Sequence, residues 1–168
     1  MRKSIIAILM TFCLSIMTYA QTPRDRATEL KEQAQSSLNQ KDYIKARYLF
    51  KKAYEAFATR ENYPQAIESG VQANALYVRE NFYKEGFELC RDMDQLIWAG
   101  EQNQKKVFYD LRFLVNKERL QMYTALKNPA QAKTQLNKLE ETANLAKNDS
   151  LTEVLLYTKA NYYYTFNQ

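Results

Sequence analysis

Glycine and proline are nearly absent from this chain, three of each in 168 residues, and that scarcity limits what it can fold into more than any other feature. Sheets turn through hairpins that demand positive-φ residues, and phosphate-cradling loops are glycine-rich as well. Gly70, Gly86, Gly100, Pro23, Pro64 and Pro129 do not supply that chemistry, so long helices joined by tight turns are the economical reading. The helix starts are marked. Thr22-Pro23 and Asn128-Pro129 each place a capping side chain before a proline at the first helical position, where the missing N–H costs nothing. Asn62 ahead of Tyr63-Pro64 is a looser version, and Ser150 with Glu153 makes a capping box before the apolar run 154–157.

Between these marks the apolar residues recur at helical spacing. Tyr43, Ala46, Leu49, Phe50, Ala53, Tyr54 and Phe57 advance largely by threes and fours, as do Ala132, Leu136, Leu139, Ala143 and Ala146, which puts each set on one helix face. The pattern predicts an all-α chain with helices near 23–39, 42–58, 63–80, 83–98, 102–127, 129–147 and 150–166. These form three helical hairpins and one unpaired helix.

The first twenty residues carry a different signal. Arg2 and Lys3 precede an uncharged, mostly apolar run over 5–19, and Thr18-Tyr19-Ala20 supplies the small-x-small pattern of a signal-peptidase site. The run is short for the ~30 Å hydrocarbon core of a bilayer, so residues 1–20 are expected to be a signal peptide cleaved before Gln21. That places the protein outside the cytoplasm, periplasmic or extracytoplasmic, with no membrane insertion by the mature chain, 21–168. Of two cysteines, Cys13 would leave with the leader and Cys90 would stay alone, so no intramolecular disulfide holds the fold. The formal charge of +5 falls further with the leader, and its charges are mixed along the chain, a balance too mild for a nucleic-acid partner.

The segment Lys41 to Ala53 resembles the second-helix signature of tetratricopeptide repeats, with Tyr43, Ala46, Phe50 and Ala53 at the aromatic and small positions of that family. Weaker echoes follow at Tyr83, Gly86, Cys90 and Met93, and at Pro129, Ala132, Leu136 and Leu139. Positions 46, 86 and 132 are spaced by 40 and then 46 residues, longer than the ~34 of the standard repeat, which keeps other αα-repeat families in play. The long 102–127 segment is one account of the lengthening. The resemblance implies an αα-hairpin superhelix, a TPR-like solenoid. Phe166-Asn167-Gln168 matches Leu38-Asn39-Gln40, as if the chain stopped inside a further repeat, so a truncated array is expected. An exported array of this kind is also similar to the extracytoplasmic sensor region of membrane-bound signalling proteins of the Bacteroidetes, in which a membrane helix and an output such as a histidine kinase follow.

No catalytic residue stands out. The chain has no histidine, which removes histidine-dependent triads, zincin sites and imidazole proton shuttles. Glu140 with Glu141, or Asp92 with Asp94, stand at helix spacings that do not face each other. No metal or cofactor is expected, and the chain reads as a non-enzymatic binding module. In tetratricopeptide arrays the first helix of each hairpin lines the concave groove. The resemblance carries that role to Lys31 and Gln35, Val71 and Ala75, and Lys117 and Gln121, with Lys159 and Tyr163 if the last helix is aligned through its Asn-Gln end. Lysines at three of these places suit a protein or peptide partner with acidic groups or a free carboxylate. Val71 and Ala75 depart from the polar pattern of the family's carboxylate clamp. The alternative is a complete small periplasmic carrier, whose tyrosine-rich groove holds a glycan, a peptide or another small ligand.

Overall fold

The structure is a computed structural model that describes residues 25–166. Seven helices follow one another with no strand among the described residues: α1 Arg26–Asn39, α2 Tyr43–Thr59, α3 Tyr63–Arg79, α4 Tyr83–Gln104, α5 Tyr109–Ala125, α6 Pro129–Ala146 and α7 Asp149–Phe166. The expected all-α class is what the chain adopts, and the described residues hold the expected seven helices. Thr22-Pro23 and the leader lie outside the described residues, and the described start of α1 is capped by Asp25, whose carboxylate accepts from the Ala27 N–H.

The turns between helices share one feature. Lys41, Glu61, Asn81, Lys105, Lys127 and Lys147 all have positive φ, each just past the end of a helix. At Lys41 the backbone N–H of 41 donates to the Leu38 carbonyl and that of Asp42 to the Ser37 carbonyl, a Schellman closure. The same pair of bonds recurs at 61–62, 81–82 and 127–128. In three of these turns the closing residue is itself the N-cap of the next helix: Asp42, Asn62 and Asn128 accept from the N–H groups of Lys45, Gln65 and Gln131. In these three turns one short link ends one helix and starts the next, and at all six turns a positive-φ residue other than glycine reverses the chain.

A non-glycine residue in the left-handed region costs about 1–2 kcal/mol, part of which glycine loses again to its larger unfolded-state entropy. Glu61 is exposed, with φ 57°. Replacing it with glycine is expected to raise stability by about 0.5–1 kcal/mol, seen as a melting midpoint ~1–4 °C higher. A lowered midpoint would mean that the turn has another shape in solution.

Two expected boundaries are corrected. α4 does not stop near residue 98 but runs to Gln104, and α5 begins at Tyr109 rather than near 102. Gly100 is not a turn residue. It sits inside α4, where a β-carbon would come within 2.8 Å of the Phe108 ring and 2.9 Å of the Tyr63 ring, so its smallness serves close approach rather than chain reversal. The cap of α7 also lies earlier than the Ser150 capping box: the Asn148 side chain accepts from the Ser150 N–H at 3.0 Å.

Each helix packs on its sequence neighbours, and α3 also touches α5, and α5 also touches α7. Alternate helices therefore stack along one side, as in a helical-repeat superhelix. Asp25 at the start of α1 pairs with Arg60 at the end of α2, and Arg47 of α2 pairs with Glu80 beyond α3, its guanidinium stacked on Tyr77 and Phe82. Of the four positions read from the sequence in each second helix, the last three are internal in all three copies, while Tyr43 and Tyr83 are half-buried and Pro129 is exposed. Ala46, Phe50 and Ala53, then Gly86, Cys90 and Met93, then Ala132, Leu136 and Leu139 are all buried. Burial pushes the Cys90 thiol up to about 12, which makes it an inert core residue.

The buried apolar residues fall into two clusters. One spans α1 to α5, and the other joins Phe113 and Leu120 of α5 to Ala132, Leu136, Leu139 and Ala143 of α6 and to Leu155 and Tyr162 of α7. α5 belongs to both: Leu111, Val115 and Met122 face the first cluster while Phe113 and Leu120 face the second.

Candidate functional site

α5 and α7 run side by side and leave a cleft of about 440 Å³ between them. Their separation follows from the packing of both helices onto α6. On the α5 side Lys117, Gln121 and Thr124 rim the cleft above buried Leu120, and Lys127 in the following turn closes one end. On the α7 side stand Val154, Tyr157, Thr158 and Asn161, at the i, i+3, i+4, i+7 spacing of one helical face. No aspartate or glutamate lines the cleft. Neither Lys117 nor Lys127 has an ion-pair partner among the described residues. Val154 and Tyr157 are exposed, giving the site two cations, two amides and an apolar wall.

The residues singled out from the sequence are distributed unevenly. Lys117 and Gln121 stand together in the cleft. Lys31 is half-buried and engaged, with its ammonium 2.8 Å from Glu68 and donating to Gln65 at 2.9 Å; it ties α1 to α3. Gln35 is exposed and donates to Asn39 on its own helix. Val71 packs on the first core cluster, and Ala75 is exposed. Lys159 reaches α6, 3.1 Å from Glu140, and the Tyr163 ring lies under the ammonium of Lys133, also on α6. The structure thus brings one of the four expected pairs together with α7, through residues of α7 other than Lys159 and Tyr163.

No protein-family model, curated protein or solved structure matches this chain. What the cleft can bind follows from its own residues. Val154, Tyr157 and Asn161 were not singled out in the sequence, although their spacing marks a stripe; alignment through the Asn-Gln end drew attention to a neighbouring stripe of α7 instead.

Directly behind the cleft-lining face of α5, Glu118 is buried at 2 % exposure. It accepts one hydrogen bond, from the side-chain amide of fully buried Asn74 on α3 at 3.1 Å. Burial pushes its carboxyl above the usual carboxylate range. The pair holds α3 to α5. Among the described residues no helix is long and apolar enough to cross a membrane, and no group of three or more cysteine, aspartate or glutamate side chains could hold a metal ion.

Proposed function

We propose that this chain is an exported, tetratricopeptide-like binding module whose α5–α7 cleft takes an acidic peptide segment of a partner protein. The observation that carries the proposal is the cleft itself, with Lys117 and Lys127 in its lining and no acid to neutralise them. An extended segment laid between two helices would meet the amides of Gln121 and Asn161 with its backbone and the Val154–Tyr157 wall with an apolar side chain. The stacking of alternate helices and the buried register Ala46, Phe50 and Ala53, echoed by Gly86, Cys90 and Met93 and by Ala132, Leu136 and Leu139, support the likeness to tetratricopeptide arrays. Residues 1–20 act in this proposal as the export signal, and the module serves as the sensing or scaffolding part of a membrane-bound signalling protein.

Fluorescence polarisation with labelled peptides tests the binding. Peptides carrying aspartate or glutamate around an apolar residue are expected to bind more tightly than their amide counterparts, with an affinity that weakens as salt rises. The double substitution K117A/Q121A is expected to weaken binding by about tenfold or more. Equal binding of acidic and amide peptides, or an unaffected double variant, would refute the proposal. Export is tested separately by the intact mass of the protein from its native cells, which should begin at Gln21.

A further inference from the structure

A second cleft, of about 450 Å³, opens on another side of α5, between α4 and α6. Its floor is the α5 stripe Arg112, Asn116 and Arg119, at i, i+4 and i+7. One wall is Trp98 of α4, 62 % exposed; the other carries Lys138 and Glu141 of α6. Trp98 is the single tryptophan of the chain, and its exposed indole beside the cleft is a rigid, flat, amphipathic surface on which a ligand can stack.

The charges in this cleft are arranged unlike those of the first. Arg112 is held by Glu101 through Nε at 2.7 Å and through a second guanidinium nitrogen. Arg119 is held by Asp94 at 2.5 Å. Lys138 and Glu141 both line the α6 wall, three residues apart and not ion-paired with each other. Two of the three bases are thus paired, and Glu141 offsets the charge of Lys138 within the same wall, so the cleft and its bracing acids carry no net charge and an ionic ligand gains little here. An apolar helix fits no better, because the floor is a row of guanidinium and amide groups that it would strip of water without replacing their hydrogen bonds. A guanidinium has five N–H donors, so Arg112 and Arg119, braced by their carboxylates, keep donors aimed outward in a fixed orientation. Asp94 and Glu141 supply acceptors beside them.

A ligand matched to fixed donors, acceptors, zero net charge and an aromatic plate is one with many hydroxyls and apolar C–H faces. We propose that this cleft is a binding site for a neutral oligosaccharide, with Trp98 and Tyr109 as stacking surfaces for the sugar rings and Arg112, Asn116, Arg119 and Lys138 as the hydrogen-bonding floor. The volume lies within the range of roughly 300–1,000 Å³ usual for small-ligand sites and has room for a short oligosaccharide. This site shares no lining residue with the α5–α7 cleft, so the two proposals stand or fall separately.

Because Trp98 is alone, tryptophan emission reports this cleft directly. The protein is titrated with the neutral hexasaccharides of glucose (α- and β-linked), xylose, mannose and N-acetylglucosamine, and with a Glu-rich peptide as the competing class. At least one oligosaccharide is expected to shift and quench the emission with saturation, and calorimetry should return the same affinity. W98A is expected to weaken that affinity at least tenfold, W98F by less, and K117A not at all. Trp98 is mostly exposed, so W98A should fold, which its circular dichroism verifies. No saccharide response up to millimolar concentration, retained affinity in W98A, or saturable response to the peptide alone would each overturn the proposal.

Discussion

Replacing Phe113 with alanine is expected to cost about 3–5 kcal/mol, the range for removing a fully buried aromatic side chain, out of a total that for a domain of this size is only ~5–15 kcal/mol. Phe113 has no exposed surface and sits at the centre of the second core cluster. That cluster joins α5 to α6 and α7 only, while the first cluster, from α1 to α5, touches α5 through its other face. The loss should therefore be local. In a linear array each unit depends on its neighbours, so amide hydrogen exchange should accelerate in α6 and α7 while α1 and α2 keep their protection. A cost below about 1 kcal/mol, or exchange that rises equally everywhere, would contradict the division of the core at α5. The α5–α7 cleft should be loosened in the same variant, because the apolar packing between its two walls runs through this cluster.

The second large effect is a pair of opposite pH dependences. Glu101 is buried, and it accepts from both Arg112 nitrogens and from the Phe108 N–H at 2.9 Å. The hydrogen bond from Arg112 is the main reason its carboxyl is held below the usual range. Phe108 caps α5 without a side-chain acceptor of its own, and Glu101 from the preceding helix accepts from the N–H of this N-cap residue, the bond that the third helical residue makes in a capping box. A lowered folded value means that this stabilisation is present above the ordinary carboxylate range and is lost as pH falls through the folded value. Glu118 has the opposite sign. Its folded value is raised by burial, so its contribution is full below the ordinary range and is lost as pH rises through the folded value. Lys117 on its own helix opposes the shift only partly, and the nearest group on α3 is the neutral amide of Asn74.

Glutamine variants separate the two. E101Q is expected to lose about 1–3 kcal/mol at pH 7, with Arg112's half-exposed position keeping the loss toward the lower end, and to approach wild type at acid pH. E118Q keeps the size and the hydrogen bond to Asn74 but cannot ionise. Relative to wild type it should be more stable at pH 7 than at pH 4, by roughly 1–3 kcal/mol. Urea unfolding of the three proteins at both pH values decides this. Shifts of the same sign in the two variants would show that one of the two carboxyls is not placed as described.

Much of this architecture was legible because it is local. Proline and asparagine at 62–64 and 128–129 mark starts that the structure uses, and the register Tyr43, Ala46, Phe50, Ala53 named three internal residues and one, Tyr43, that is half-buried against the core. The α4–α5 boundary was not legible. Gly100 has the appearance of a helix end in sequence, and only the rings of Tyr63 and Phe108, distant along the chain or across a turn, explain why it lies within a helix. A shorter period was also present. Tyr43, Tyr63 and Tyr83 stand twenty residues apart, each followed three residues on by Ala46, Ala66 or Gly86, so the repeating unit of the first half is one helix with its turn, not only the hairpin.

The candidate site was harder to read because it depends on which face each helix turns to its neighbours. α5 buries residues toward both clusters, so periodicity along it is blurred, and Glu118 gave no sign in sequence of its burial. The lysines could be counted from the sequence, but not sorted. Lys31 and Lys159 are occupied by Glu68 and Glu140 across helices, while Lys117 and Lys127 face a cleft without acids. Long-range pairing decides between those fates, and helical spacing does not contain it.

The most direct test of the central claim is nuclear magnetic resonance mapping of backbone amides during titration with the tightest acidic peptide from the polarisation panel. The cleft between α5 and α7 predicts shifts concentrated in residues 117–127 and 154–165, saturating at the affinity found by polarisation, with α1 and α2 unmoved. Shifts confined to α1–α4, or spread along the exposed lysines of the whole chain without saturation, would contradict it.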